Sequence, residues 1–341
     1  MRRLGLLLLL LVIVSAACAL DGAPDDTEIS DVARAYLDAV FDILEGHSIY
    51  RYEIEWPDLR DEAFVRASRA QTPDDAYDTI RWVLRSLGDG HSMFLEPEDA
   101  AALLAADLEG NSIPTGRLLD REIGLLTVPG FAGSEESARA YAETLHHLIC
   151  GLRGEGAKGW IVDLRGNVGG DMWAMLCGVG PILGEGAAGA FVGPDDLAET
   201  WSYQAGSVLL DDVVQLSVCD SAVCPTLTPL PPVAVLIDRG TLSAGEATAV
   251  AFIGREDARH FGRVTRGMST ANCRFDLIDG AMILLTVSRF ADREGTVYGS
   301  VIPPDVHVAS HGVAPEVTDP AVDAALRWLE GEYGIGGDAG E

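Results

Sequence analysis

The chain has 341 residues, 53 acidic against 24 basic, for a formal net charge of −29. A surface that acidic excludes nucleic acid as a partner and adsorption to anionic lipid. With 48% hydrophobic residues the composition is that of a globular chain.

Residues 1–18 read as an export signal of lipoprotein type. Arg2 and Arg3 precede an apolar run from Leu4 to Val14, too short for a comfortable membrane span, and Ser15-Ala16-Ala17-Cys18 follows. Cys18 is the expected lipidation point, so contact with a membrane is expected only through a lipid anchor, with the protein in the cell envelope facing the periplasm or the outside. Residues 19–28 form an acidic tether, and loss of Arg2 and Arg3 takes the charge from −29 to −31. From 29 to 104 the pattern is helical: Val32, Ala35, Tyr36, Ala39 and Val40 make one apolar stripe, Trp56 to Ala70 another, and Thr72-Pro73 opens a helix through Leu87. This segment is expected to be a small helical cap domain carrying His91.

From Arg121 the sequence changes to alternating strands and helices, an α/β pattern, and the core domain is expected to span residues 105–331. Strands are expected at Glu122–Val128, Gly159–Leu164 and Val233–Ile237, and helices at Ser134–Leu152, Asp171–Leu183 and Ala244–Phe252. Gly186–Pro229 holds strand-like pieces without a clear pattern. Asp279-Gly280 marks a hairpin between Arg274–Leu277 and Ala281–Ser288. Val301–Asp305 is a loop, Pro320–Leu329 a closing helix, and residues 332–341 a flexible acidic tail.

No dinucleotide, phosphate-loop or metal-protease motif occurs, so no cofactor or metal is expected, and the adjacent His146 and His147 point apart on a helix. If Cys18 is lipidated, Cys219 and Cys224 are the best disulfide pair of the remaining five cysteines. Two turns carry candidate chemistry. Gly166-Asn167-Val168-Gly169-Gly170 lies between a strand and a helix, where backbone N–H groups can approach a ligand, although a tight turn alone would also use those glycines. Ser243 sits where the strand 233–237 hands over to a helix. A serine there either caps the helix or points out as a nucleophile beside helix N–H groups.

Taken together, LGDGHSMFLEP (87–97), GWIVDLRGNVGGD (159–171) and VAVLIDRGTLSAGEATAVAF (233–252) resemble the tail-specific, or C-terminal processing, serine peptidases, a family that includes the tricorn core and the interphotoreceptor retinoid-binding repeats. The run 262–272 and Pro304-Asp305 also match. The resemblance implies a spiral ββα core of the Clp protease and crotonase type behind the helical cap. It implies Ser243 as nucleophile, with Gly169 or Gly170 and Ala244 supplying oxyanion N–H groups. Two departures stand out. Only Ala105–Asp120 separates cap and core, too little for the PDZ domain of many members. The family's usual lysine base, 25 residues after the serine, is Met268, and the one lysine of the chain is Lys158.

Histidine is the alternative base near neutral pH. His91 matches the histidine of the tricorn branch, but Tyr298-Gly299-Ser300 stands where that branch has a glutamate, which leaves Ser92, Glu246 and Asp305 to orient the ring. The expected activity is hydrolysis of peptide bonds in unstructured or C-terminal segments of a peptide or protein substrate, through a Ser243 acyl-enzyme with His91 as base. Two other readings compete: a non-catalytic ligand-binding protein on the same scaffold, and an α/β-hydrolase-type esterase using Asp279 or Asp305 with His307 or His311. Oligomeric state is left open.

Overall fold

A computed structural model describes residues 28–105, 113–119, 122–309 and 319–335. The expected leader with Cys18 and the tether up to residue 27, His311, and all but the first four residues of the acidic tail lie outside the described residues.

The N-terminal segment contains α1 (Asp31–His47), α2 (Trp56–Arg66) and α3 (Tyr77–Leu87). Ser30 caps α1 through the Ala33 N–H, and Gly88, left-handed at φ 80°, ends α3. Strand β1 (Met93–Leu95) and helix α4 (Pro97–Ala105) follow. The apolar stripe of α1 is buried through Tyr36, Leu37, Val40, Phe41 and Leu44, whereas Val32 is exposed.

The strands β2 (Thr115–Leu119), β3 (Ile123–Thr127), β4 (Gly159–Asp163), β9 (Val233–Ile237), β10 (Ala258–Gly262) and β13 (Val306–His307) form one sheet in the order β13-β10-β9-β4-β3-β2. All its pairs are parallel except β2 with β3. The crossovers are α5 (Glu135–Gly154) between β3 and β4, and α7 (Ala244–Phe252) between β9 and β10. Helix α6 (Met172–Leu183) follows β4. Every residue of β9 is buried, because both faces of the sheet are covered. Val233, Val235 and Ile237 pack into the core shared with α5, α6 and α7, while Ala234 and Leu236 alternate into a second core closed by α8 (Pro320–Tyr333). Gly124 is glycine for a reason of space, since a Cβ there would lie 2.6 Å from the buried Trp160 ring.

The second sheet is antiparallel and resolves residues 186–217 of the unclear stretch 186–229 into four strands. It contains β5 (Gly186–Val192), β6 (Ala198–Gln204), β7 (Ser207–Leu210), β8 (Val213–Ser217), β11 (Thr270–Asp276) and β12 (Met282–Ala291), with β1 paired to β12. The hairpin β11–β12 turns about Asp279-Gly280, and its Leu277, Ala281, Ile283 and Leu285 complete the helical segment's core. Tyr36 and Tyr77 donate their hydroxyls to the two oxygens of Asp279, at 3.0 and 2.7 Å. The cap is thereby bound to the sheet that carries the segment after the serine motif.

The disulfide joins Cys150 to Cys224, with Cα atoms 5.7 Å apart, and Cys219 is free and exposed. The expected Cys219–Cys224 pairing is therefore corrected. The loop after β8 lies on α5, where the Cys224 N–H donates to Nδ1 of the buried His146 at 2.9 Å, and that packing brings Cys150 to it.

Candidate active site

The site lies at the carboxyl ends of β4 and β9, the usual place for ligands on a parallel sheet. The two turns there are bound to each other. Asp238 Oδ1 accepts the N–H groups of Gly166 (3.0 Å) and Gly240 (2.8 Å), and Thr241 Oγ1 donates to the Leu164 carbonyl at 2.8 Å. Asn167 is fully buried: its amide donates to the Val128 carbonyl, its Oδ1 accepts the Gly169 N–H at 2.9 Å, and its backbone carbonyl accepts the Leu242 N–H at 3.0 Å. A Cβ on Gly245 would stand 2.8 Å from Asn167 oxygens, so the second turn can approach the first only with glycine there.

Ser243 can be compared with two ordinary caps in the same chain. Ser30 and Ser134, which cap α1 and α5, have extended backbones at φ −67°, ψ 157° and φ −68°, ψ 164°. Ser243 has φ 51° and ψ −120°. A non-glycine residue pays about 1–3 kcal/mol for such a conformation. A cap does not require it, whereas a sharp strand-to-helix elbow that lifts a serine hydroxyl over the sheet edge does.

What holds the elbow is Glu246, fully buried one turn into α7. Its carboxylate accepts the N–H groups of Ser243 (3.0 Å), Gly267 (3.0 Å) and Met268 (2.8 Å) and the Thr265 hydroxyl (2.5 Å). Burial raises its pKa, and these hydrogen bonds oppose the rise. Glu246 thus fastens the Ser243 turn to the loop that carries Met268.

His91 is buried, and its Nδ1 lies 2.7 Å from Thr270 Oγ1 on β11. Asp89 accepts the backbone N–H groups of His91 (2.8 Å) and Ser92 (2.6 Å), which fixes the turn behind the ring. The Asn272 side-chain amide donates to the His91 carbonyl at 3.0 Å. Burial holds the imidazole below its ordinary pKa, with the Asp89 charge acting the other way. Ser243 and His91 line one cleft of about 650 Å³ together with Gly170, Ala244 and Thr270. Its walls are largely apolar, from Met93, Met172, Trp173, Phe191, Met268 and Phe290.

None of the three groups expected to orient His91 touches it. Ser92 donates to Asp89 at 2.6 Å, Glu246 holds the elbow, and Asp305 accepts the His260 N–H at 2.7 Å. Thr270 stands in their place. It falls within the matched run 262–272, but no spacing rule gives a neutral hydroxyl that role. The two glycines of the turn also separate. Gly169 spends its N–H on Asn167, whereas the N–H groups of Gly170 and Ala244 make no hydrogen bond among the described residues. The parallel bridge, Phe131 N–H to the Gly169 carbonyl and Asp171 N–H to the Phe131 carbonyl, turns the Gly170 N–H away from Phe131.

Lys158 pairs with Glu122 at 2.7 Å just before β4, at the end of that strand away from the site. Asp279 is taken up by the cap tyrosines, and His307 is exposed on the edge strand β13, away from the cleft. A larger cleft of about 780 Å³ lies between β2, β3 and α8, but there Arg165 is paired with Asp163 (2.6 Å) and Asp319 (2.7 Å), and no serine or histidine lines it among the described residues.

A parallel sheet whose serine elbow and glycine turn meet at one edge, closed by an antiparallel sheet and a helical cap, is the architecture of a peptidase-type α/β fold. The sequence profile of peptidase family S41 matches residues 122–308, more than half of the chain, and the chain belongs to that family. It is 26% identical over 286 residues to the nisin-resistance protein of Lactococcus lactis, covering 82% of this chain and 81% of that protein. It is 31% identical over 209 residues to the carboxyl-terminal-processing protease of Synechocystis, covering 59% of this chain and 44% of the protease. Among solved structures, a lipoprotein from Streptococcus agalactiae superposes with a TM-score of 0.73 at 22% identity, over 89% of this chain and 98% of that one. The photosystem II D1 C-terminal processing protease superposes with a TM-score of 0.57 at 16% identity, over 91% and 98%. These two likenesses establish the fold.

Proposed function

We propose that the chain is an exported serine peptidase that hydrolyses peptide bonds in unstructured or C-terminal segments, with Ser243 as nucleophile and His91 as base. The observation that carries this reading is the strained Ser243 elbow opening into the cleft that His91 also lines. With Thr270 at Nδ1, the other ring nitrogen, Nε2, serves the serine. Nε2 takes the Ser243 proton as Oγ attacks the substrate carbonyl, and the N–H groups of Gly170 and Ala244 hold the oxyanion. The proton passes to the leaving amine, and water then releases the acyl group by the reverse sequence. A base whose pKa is lowered by burial stays neutral at neutral pH, as the first step requires. The apolar walls suit apolar substrate side chains.

The test is covalent labelling by a fluorophosphonate together with turnover of an unstructured peptide. Both are expected to vanish in Ser243→Ala and turnover to fall on the order of 10³-fold or more in His91→Ala. Labelling that persists in folded Ser243→Ala would place the nucleophile elsewhere. Well-folded protein that neither labels nor turns over peptide or ester would leave the ligand-binding reading. For location, the lipoprotein-type leader supports anchoring at Cys18. Cys18→Ser is expected to move the protein from the membrane fraction to the soluble one, and a wild type already wholly soluble after export would refute the anchor.

A further inference from the structure

One charged group in the cleft has no role in this chemistry. Arg266 lines the same cleft as Ser243, and its guanidinium makes no hydrogen bond or ion pair among the described residues. The chain has 53 acids to 24 bases, and Arg51, Arg60, Arg81, Arg165 and Arg274 all lie against carboxylates. Other arginines, Arg69, Arg85 and Arg239 among them, also lack an ion pair among the described residues; what sets Arg266 apart is its place in the cleft that Ser243 lines. The one carboxylate among the described residues that line the cleft, Asp171, is engaged as the N-cap of α6, accepting the Trp173 N–H at 2.8 Å.

The backbone at Arg266 is held on both sides. Its own N–H donates to the Thr241 carbonyl at 2.9 Å, and its neighbours Thr265 and Gly267 are both bonded to Glu246. The arginine is thus displayed from a fixed loop bonded to Thr241, two residues before Ser243. A guanidinium presents planar paired donors that match a carboxylate.

We propose that Arg266 anchors a substrate carboxylate, foremost the free α-carboxylate of a peptide's C-terminus. An α-carboxylate is part of the backbone and so stands at a set distance from each preceding peptide bond. Its capture by an arginine on a fixed loop limits which bond reaches Ser243, and the fragment released is only a few residues long. An acidic side chain offers the same chemistry without that register. The position of the cut rests on the peptidase reading of Ser243, whereas the anchoring itself does not.

The experiment measures binding and turnover separately. An unstructured fluorescent peptide with apolar C-terminal residues is prepared as the free acid, as the C-terminal amide, and as an amide with Asp in last place. Binding is followed by anisotropy on full-length Ser243→Ala protein, and kcat/KM on wild type. The acid is expected to bind about tenfold tighter than the plain amide, the value of one charge-assisted pair, and the preference shrinks in high salt. Arg266→Gln brings the acid-to-amide ratio towards one, and Arg266→Lys retains part of it. If the Asp amide matches the acid, the anchor accepts a carboxylate from either source; if it behaves as the plain amide, the site is specific for the chain end. Equal binding of acid and plain amide, with no gain from Asp, or a preference that survives Arg266→Gln, overturns the proposal. Cleavage without carboxylate preference sinks the anchor and leaves the peptidase; Arg266-dependent binding with no cleavage by wild type does the reverse.

Discussion

Glu246 offers the most demanding test of how the site is held. In Glu246→Ala the N–H groups of Ser243, Gly267 and Met268 and the Thr265 hydroxyl all lose their acceptor. An unpaired buried donor costs about 1–3 kcal/mol. Two effects reduce the sum: the Thr265 hydroxyl can turn, and a buried carboxylate no longer has to be desolvated, the effect that raises its pKa. A net loss of about 3–5 kcal/mol is expected for alanine. Glutamine keeps one acceptor oxygen but sets an NH₂ group against the other donors, for a loss of about 1–3 kcal/mol. The functional loss should be separable, because release of the elbow and of the 265–268 loop misplaces Ser243. A misplacement near 1 Å costs on the order of 10²-fold in reaction. Urea unfolding gives the first quantity, and the rate of fluorophosphonate labelling well below the unfolding transition gives the second. A Glu246→Ala protein within about 0.5 kcal/mol of wild type, or a destabilised one that labels at the wild-type rate, would refute the argument.

Thr270→Val, which removes only the hydroxyl facing His91 Nδ1, should lower kcat about tenfold with little change in KM, and Thr270→Ser should restore most of it; an equal loss in both variants would mean that packing and not the hydroxyl matters. On the proposed role of His91 as base the neutral ring is the working form, so activity should fall as pH drops, and because burial lowers the ring's pKa the midpoint should lie below the ordinary imidazole value of about 6.5. Asp89 opposes that shift, so Asp89→Asn should move the limb lower still, and an upward move would contradict the assignment. Breaking the Cys150–Cys224 bridge, which spans 74 residues, should cost up to about 4 kcal/mol, whereas Cys219→Ser should leave the unfolding midpoint where it is; the opposite pattern would restore a Cys219–Cys224 pairing.

Much of the framework was legible in the sequence because it is local. Val233–Ile237 is apolar at every position, the mark of a strand covered on both faces, and the strand–turn–helix order around 159–183 and 233–252 follows from glycine placement and periodicity. The absence of a lysine base follows from counting, and the structure puts Lys158 at the far end of β4. The meander 186–217 was obscure because Gly186 and Gly189 break the pattern of β5, because β7 and β8 are short, and because cross-strand partners rather than the local pattern determine the pairing. What only the tertiary structure decided are pairings between segments far apart in the chain. Thr270 reaches His91 across 179 residues, and Cys150 reaches Cys224 across 74. Glu246 turned from a candidate partner of the histidine into the clamp of the elbow, because a carboxylate's role is set by the donors that converge on it once the chain is folded. Gly169 and Gly170 look alike in sequence, and only the direction of each N–H, determined by Asn167 and Phe131, separates the donor committed to the turn from the one left for a ligand.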